Sequence, residues 1–140
     1  MKKVKNDKPR SIIMKLDAPM TEAEFEEKIV ALLPTLRPIE YEFLIVDFGY
    51  EHPWGVSFIQ TLTIDAEEGL FLLECKKRVP EHPGGKLKGK KLSKMYRMPY
   101  EKSHMREVLE AFKATILGKG HFDISEWKDV TMEVLGTEYE

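Results

Sequence analysis

The sequence predicts an α+β domain: an antiparallel meander sheet of about four to five strands, with two to three helices packed on one face. Three observations lead to this fold class. Strand-like segments in the middle of the chain are joined by short turns, which favours antiparallel pairing. One amphipathic helix is predicted before these segments and another after them. The length of 140 residues corresponds to one domain with a substantial core.

Residues 1–10 (MKKVKNDKPR) are predicted to form a flexible basic N-terminus, and residues 11–140 a single domain. The apolar stretch that follows this start is broken by Lys15, which makes it too short for a secretory signal. Cys75 is the only cysteine and has apolar neighbours, so it is predicted to lie in the core and the chain needs no oxidising compartment. A cytoplasmic protein with no membrane span is therefore expected.

The first strand is predicted at residues 11–17 (SIIMKLD), and a helix begins after it at Thr21. Thr21 and Glu24 have the spacing of a capping box, in which each side chain satisfies a backbone N–H at the start of the helix. The helix presents one apolar stripe and ends near two prolines. The stripe consists of Phe25, Ile29, Leu32, Leu33 and Leu36.

Three strands follow this helix. Residues 40–48 (EYEFLIVDF) are apolar enough at the centre to be buried on both faces. Residues 54–64 alternate with period two, and the even-numbered side chains are apolar except for Gln60. The even-numbered set is therefore predicted to form the packed face of the strand, and the odd-numbered set the face with more exposure to solvent. The turn DAEEG then leads into a partner strand at residues 70–78.

The last third is predicted to contain a short strand in SKMYRMPY, a helix at residues 101–117 that ends at Gly118, and a third helix at residues 124–135. A strand competes with the third helix, because Val130, Thr131 and Val134 also suit a strand.

The net charge of −2 conceals a strong asymmetry along the chain. Residues 76–97 contain nine Lys/Arg and one Glu, a local charge of +8, so the other residues carry −10. Residues 11–75 hold 13 acids against 3 bases. The chain is therefore an acidic body with one basic segment, a distribution that matters more for association than the net charge.

Two short motifs share the pattern Glu-His-Pro-x-Gly, namely EHPWG at residues 51–55 and EHPGG at residues 81–85. On the predicted meander both lie at the same end of the sheet, about 5 Å apart where the middle strands pair. Their histidines and carboxylates would suit a metal or a general acid–base pair. Turn chemistry is the favoured interpretation, because His-Pro is extended and Pro followed by Gly marks a loop.

The basic stretch KLKGKKLSKMYR (residues 86–97) is the most unusual part of the sequence. Basic residues beside an aromatic suit phosphates and stacked bases, a protein partner, or the protection of a sheet edge. No catalytic, metal-binding or cofactor-binding residue is predicted. The predicted partner-binding residues are Glu81, His82, Lys86, Lys88, Lys90, Lys91, Lys94, Tyr96 and Arg97.

The run GHFDISEW (residues 120–127) follows one amphipathic helix and leads into an amphipathic end. Together with the alternating hairpin at residues 54–78, this layout resembles small immunity proteins of bacterial contact-dependent growth inhibition systems. The resemblance covers about half of the chain, and ISEW is its literal identity. It implies a cytoplasmic protein that neutralises a cognate toxin domain in a stoichiometric complex, without catalysis or cofactor.

The leading hypothesis is thus a non-enzymatic protein-binding module, and specifically an immunity protein. One alternative is a nucleic-acid-binding domain that uses the Lys-rich loop 86–97, with an affinity that falls steeply as salt rises. A second alternative is a metal-dependent hydrolase built on His52 and His82 of the two EHP loops. A toxin could be basic and meet the acidic surface, or acidic and meet the Lys-rich loop.

Overall fold

The computed structural model describes residues 10–37, 42–65, 67–79, 92–118 and 123–136. Within these ranges the strands are β1 (Ser11–Leu16), β2 (Phe43–Phe48), β3 (Val56–Asp65), β4 (Leu70–Val79), β5 (Leu92–Arg97) and β6 (Lys128–Asp129). The α-helices are α1 (Glu22–Phe25), α2 (Met105–Leu117) and α3 (Thr131–Val134). A π-helical segment, Glu26–Val30, continues α1, and 3₁₀ turns occur at Leu33–Thr35 and Tyr100–Lys102.

Three predictions lie outside the described residues. They concern most of the flexible basic N-terminus, the second EHP motif, and the part of the Lys-rich loop before β5.

The strands form one mixed sheet in the order β1-β2-β3-β4-β5-β6. β2 to β5 form the predicted antiparallel meander, and β6 pairs antiparallel with β5. β1 pairs parallel with β2, because the helical segment between them carries the chain back to the end of the sheet where β1 started. The predicted α+β class is confirmed, whereas the wholly antiparallel sheet of four to five strands is corrected to a mixed sheet of six.

Two helices cover one face of this sheet. The predicted capping box is present in α1: Glu24 N–H donates to Thr21 Oγ1, and Thr21 N–H donates to Glu24 Oε1, each at a distance of 3.2 Å. α2 ends at Gly118, which has the predicted left-handed conformation with φ of 66°. Among the described residues, no helix is long and apolar enough to cross a membrane.

The hydrophobic core lies between these helices and the sheet. Cys75 is a core residue as predicted, with 0% exposure, and burial raises the pKa of its thiol to about 12. The main buried side chains are Phe25, Ile29 and Leu33 after β1, Leu44, Val46, Ile59 and Leu73 on the strands, and Val108, Phe112 and Ile116 on α2.

The prediction of the packed face of β3 is wrong from Phe58 onward. The side chains that face the core there are Ile59, Thr61 and Thr63, and the even-numbered side chains of residues 58–64 are turned away from it. A register shift between Val56 and Phe58 also changes the alternation, so that Val56 is buried. Alternation alone shows that a strand has two faces, but the position of the helices decides which face is covered.

The predicted third helix at residues 124–135 is also wrong over its first half. Ile124 to Trp127 form a turn, closed by Trp127 N–H donating to Ile124 O at 3.0 Å. The Asp123 carboxylate accepts from Ser125 N–H at 2.8 Å, which is an Asx turn. β6 then pairs with β5, and α3 follows. The segment therefore contains a short strand and a short helix, the two structures between which the sequence left the choice open.

Candidate protein-binding face

The sheet face opposite α1 and α2 carries apolar side chains that remain partly exposed. These side chains lie outside the core cluster that the helices cover. We call this surface the open face. It consists of Phe43, Ile45, Phe58, Leu62 and Leu72, with Ile13 at its edge.

Strand register arranges the open face in rows. Leu62 pairs with Phe43 on one side and with Leu72 on the other, which gives an apolar row across β2, β3 and β4. Side chains directly opposite each other on paired strands are in contact distance, so each row acts as a unit. Ile13 pairs with Ile45 in the next row and is 65% exposed.

The second row becomes polar beyond Ile45. Gln60 Nε2 donates to Glu74 Oε1 at 3.0 Å, and Arg97 Nε donates to Glu74 Oε2 at 2.8 Å. Arg97 also donates to Glu133 Oε2 on α3 at 2.9 Å. Glu74 is only 3% exposed, and its two partners satisfy both carboxylate oxygens. This polar row is therefore preorganised beside the apolar row.

A hollow of about 270 Å³ lies where the two rows meet. Phe43, Leu62 and Leu72 supply its apolar lining, and Gln60 and Glu74 supply its polar side. An apolar centre beside ordered polar groups is the usual anatomy of a protein interface, in which one large side chain of the partner fills a pocket.

The sequence contains a signal for this face. β2 is apolar in both alternating sets, which is typical of a strand covered on both sides. The structure buries one set, including Leu44 and Val46, and leaves Phe43 and Ile45 partly exposed. The prediction that this strand is buried on both faces thus holds for one face only.

The nine predicted partner-binding residues divide into two groups. Glu81, His82, Lys86, Lys88, Lys90 and Lys91 lie outside the described residues. The other three lie on β5 but not on one surface: Arg97 lies in the polar row beside the open face, while Tyr96 packs against the core from the opposite face. Lys94 Nζ lies 3.7 Å from the Asp129 carboxylate. Lys94 and Arg97 therefore both have acidic neighbours.

The first EHP loop has a structural role that turn chemistry alone did not reveal. His52 is 6% exposed, with Nε2 2.7 Å from Thr115 O on α2 and Nδ1 accepting from Trp54 N–H at 3.1 Å. A carbonyl at Nε2 and a donor at Nδ1 fix the neutral tautomer with the proton on Nε2. Burial lowers the pKa of His52. The imidazole ties the loop to the end of α2.

These two hydrogen bonds count against His52 as a metal ligand, because the imidazole would have to break one of them to coordinate an ion. Across the described ranges, no group of three or more His, Cys, Asp or Glu side chains is arranged to hold a metal. His82 lies outside those ranges, so the convergence of the two EHP loops stays a prediction.

A second surface of the molecule is acidic. A groove of about 260 Å³ between α2 and the turn before β6 is lined by four carboxylates and by Trp127. Lys102 forms an ion pair with one of them, Glu126. The four carboxylates are Glu107, Glu110, Asp123 and Glu126. The ISEW run thus contributes to this groove as a turn.

Comparison of the chain with family models, with curated proteins and with solved structures gave no match.

Proposed function

We propose that this chain is a non-enzymatic protein-binding module that holds its partner on the open face. The observation that carries the proposal is that β2 has the composition of a strand covered on both sides, while α1 and α2 cover one side. Contiguous exposed apolar surface with a polar rim is characteristic of an interaction site. A partner that covers this face would complete the second layer of the sheet.

The partner has a definable chemistry. It presents a large apolar side chain to the hollow between Phe43, Leu62 and Leu72, and polar groups to the row that contains Glu74 and Arg97. The resemblance carried by ISEW makes this partner a cognate toxin domain, and the chain its immunity protein, acting in the cytoplasm. Neutralisation would then be stoichiometric, with the toxin blocked or held inactive by the complex.

The nucleic-acid alternative has less support from the described residues. The hollow on the open face is mainly apolar and its one charged lining group is the Glu74 carboxylate, which does not favour phosphate binding. Lys94 and Arg97 lie beside Asp129, Glu74 and Glu133, which reduces the positive field that they offer to a polyanion.

The test uses the product of the reading frame immediately upstream of this chain, which the proposal expects to contain the toxin domain, coexpressed with the chain and titrated against it. The wild-type chain should restore growth and form a 1:1 complex. Leu62→Lys places a charge in the apolar row and should weaken binding by about 30-fold or more, as expected for the centre of an interface. The matched control is Tyr100→Lys, because Tyr100 is 61% exposed and lies outside the open face.

Both variants must first show wild-type circular dichroism, so that lost binding is not lost folding. A folded Leu62→Lys protein that binds and protects as well as the wild type contradicts the proposal. So does an upstream toxin that the wild-type chain neither binds nor neutralises.

A further inference from the structure

β1 forms an edge of the sheet in the described part of the chain, with β2 as its neighbour. Phe43 N–H donates to Arg10 O at 3.2 Å, and Gly49 N–H donates to Leu16 O at 2.7 Å. These bonds show that the even-numbered residues of β1 direct their backbone groups towards β2. The N–H and C=O groups of Ser11, Ile13 and Lys15 therefore point away from the sheet.

This edge lacks most of the features that protect sheet edges from pairing. Protected edges are short, bulged, interrupted by proline or rich in charge. β1 has six residues in unbroken register with β2, and Lys15 is its one charged residue. Its centre is Ile13, an exposed β-branched side chain with 65% of its surface accessible.

We propose that β1 of a second copy of this chain pairs antiparallel with β1. A two-fold axis relates the two copies and passes between their Ile13 residues. In this register Ile13 lies opposite its counterpart, and Ser11 lies opposite Lys15 of the partner. Each outward residue then exchanges both backbone hydrogen bonds with its opposite, so the free groups of the edge are all paired. The same surface is used on both copies, as a two-fold interface requires.

Charge and packing select this register over others. Lys15 lies opposite Ser11, and the two Lys15 ammonium groups are at opposite ends of the pairing. On the other face Ile12 lies opposite Met14 of the partner, and both side chains already pack partly against the core. Other registers pair fewer outward groups, and a shift towards Lys15 brings two like charges together.

The expected dimer is reversible. One pair of strands buries less than the roughly 800 Å² per partner of a standard stable interface, so we expect a dissociation constant of the order of micromolar. The two sheets would become one, and their open faces would lie on the same side of it. This inference does not depend on the proposed function.

Sedimentation over a range of protein concentrations tests the dimer. The wild type should pass from monomer to dimer, and Ile13→Lys should weaken the dimer by about tenfold or more, because two lysines then oppose each other. Ile64→Lys is the matched control, since Ile64 is 42% exposed on β3 and lies away from the edge; it should dimerise normally.

Cysteine cross-linking tests the register. The native Cys75 is buried and stays out of the reaction. A mixture of Ser11→Cys and Lys15→Cys proteins should form a disulfide heterodimer under mild oxidation, because paired residues about 5.5 Å apart suit a disulfide. Neither variant alone should cross-link.

Three results overturn the proposal. One is a wild-type protein that stays monomeric at all concentrations, which would leave this edge to a strand of a different protein. Another is a dimer that Ile13→Lys does not weaken. The third is efficient cross-linking of Ser11→Cys or Lys15→Cys alone, which places the pairing in another register.

Discussion

Glu42 shows how much of this fold depends on a single carboxylate. Its side chain is fully buried, and it accepts bonds from Arg10 Nη2 at 2.9 Å and Arg37 Nη2 at 2.7 Å, as well as from both backbone N–H groups. The two arginines lower the pKa of Glu42 well below its usual range, Arg10 having the larger effect. The cluster joins the start of β1 to the start of β2. Nothing in the sequence pairs Arg10 with a glutamate 32 positions away.

Replacement of Glu42 by Gln should lower the free energy of unfolding by about 2 kcal/mol at neutral pH, because two charge-assisted hydrogen-bond networks lose their acceptor charge. Since the native pKa is lowered, this stabilisation is present above the unfolded value of about 4.3 and is lost as pH falls below it. Urea unfolding at several pH values should show the difference between wild type and Glu42→Gln shrinking in acid. The exposed Glu27→Gln is the control, and a pH-independent difference would contradict this account.

His52 should make stability depend on pH in a different range. Its native pKa is lowered by burial, so its contribution is present above the unfolded value of about 6.5 and is lost as pH falls through the lower native value. Protonation adds a hydrogen at Nδ1, where Trp54 N–H already donates. In denaturant unfolding, the free energy of unfolding of the wild type should fall below about pH 6.5, and His52→Gln should make this dependence on pH shallower. An unchanged slope in the variant would show that another group is responsible.

At the scale of elements, the predictions that depend on local chemistry are confirmed. The capping box, the left-handed Gly118 and the β2–β5 meander all depend on neighbours in sequence, and the structure contains all of them. The errors occur where distant segments decide. The covered face of β3 depends on two helices, and the end of the chain is shaped by pairing of β6 with β5.

The capping box gives a direct test at this scale. Thr21→Ala removes the side chain that accepts from Glu24 N–H, and it should cost about 1 kcal/mol of stability. Thr21→Ser keeps the acceptor and should stay close to the wild type. Thermal and urea unfolding of the two variants provide the comparison. Equal losses in both would assign the effect to the methyl group and not to the cap.

The molecule as a whole is a sheet with unequal faces. One face is covered by α1 and α2, and the other exposes an apolar row beside the polar row that contains Glu74 and Arg97. Arg97, one of the contacts predicted from the sequence, lies in this polar row, whereas six of the nine predicted contacts lie outside the described residues. The open face could not be located from sequence, since its residues come from separate strands whose shared face is set by register.

The central proposal is that a protein partner binds the open face, and methyl NMR of the labelled chain, titrated with the toxin domain expected from the upstream reading frame, tests it most directly. The account predicts that the methyl signals of Ile45, Leu62 and Leu72 shift or broaden up to one equivalent, while those of the buried Leu44 and Val46 change little. Changes confined to other surfaces, such as Ile124 beside the acidic groove or Leu92 at the start of β5, would contradict it.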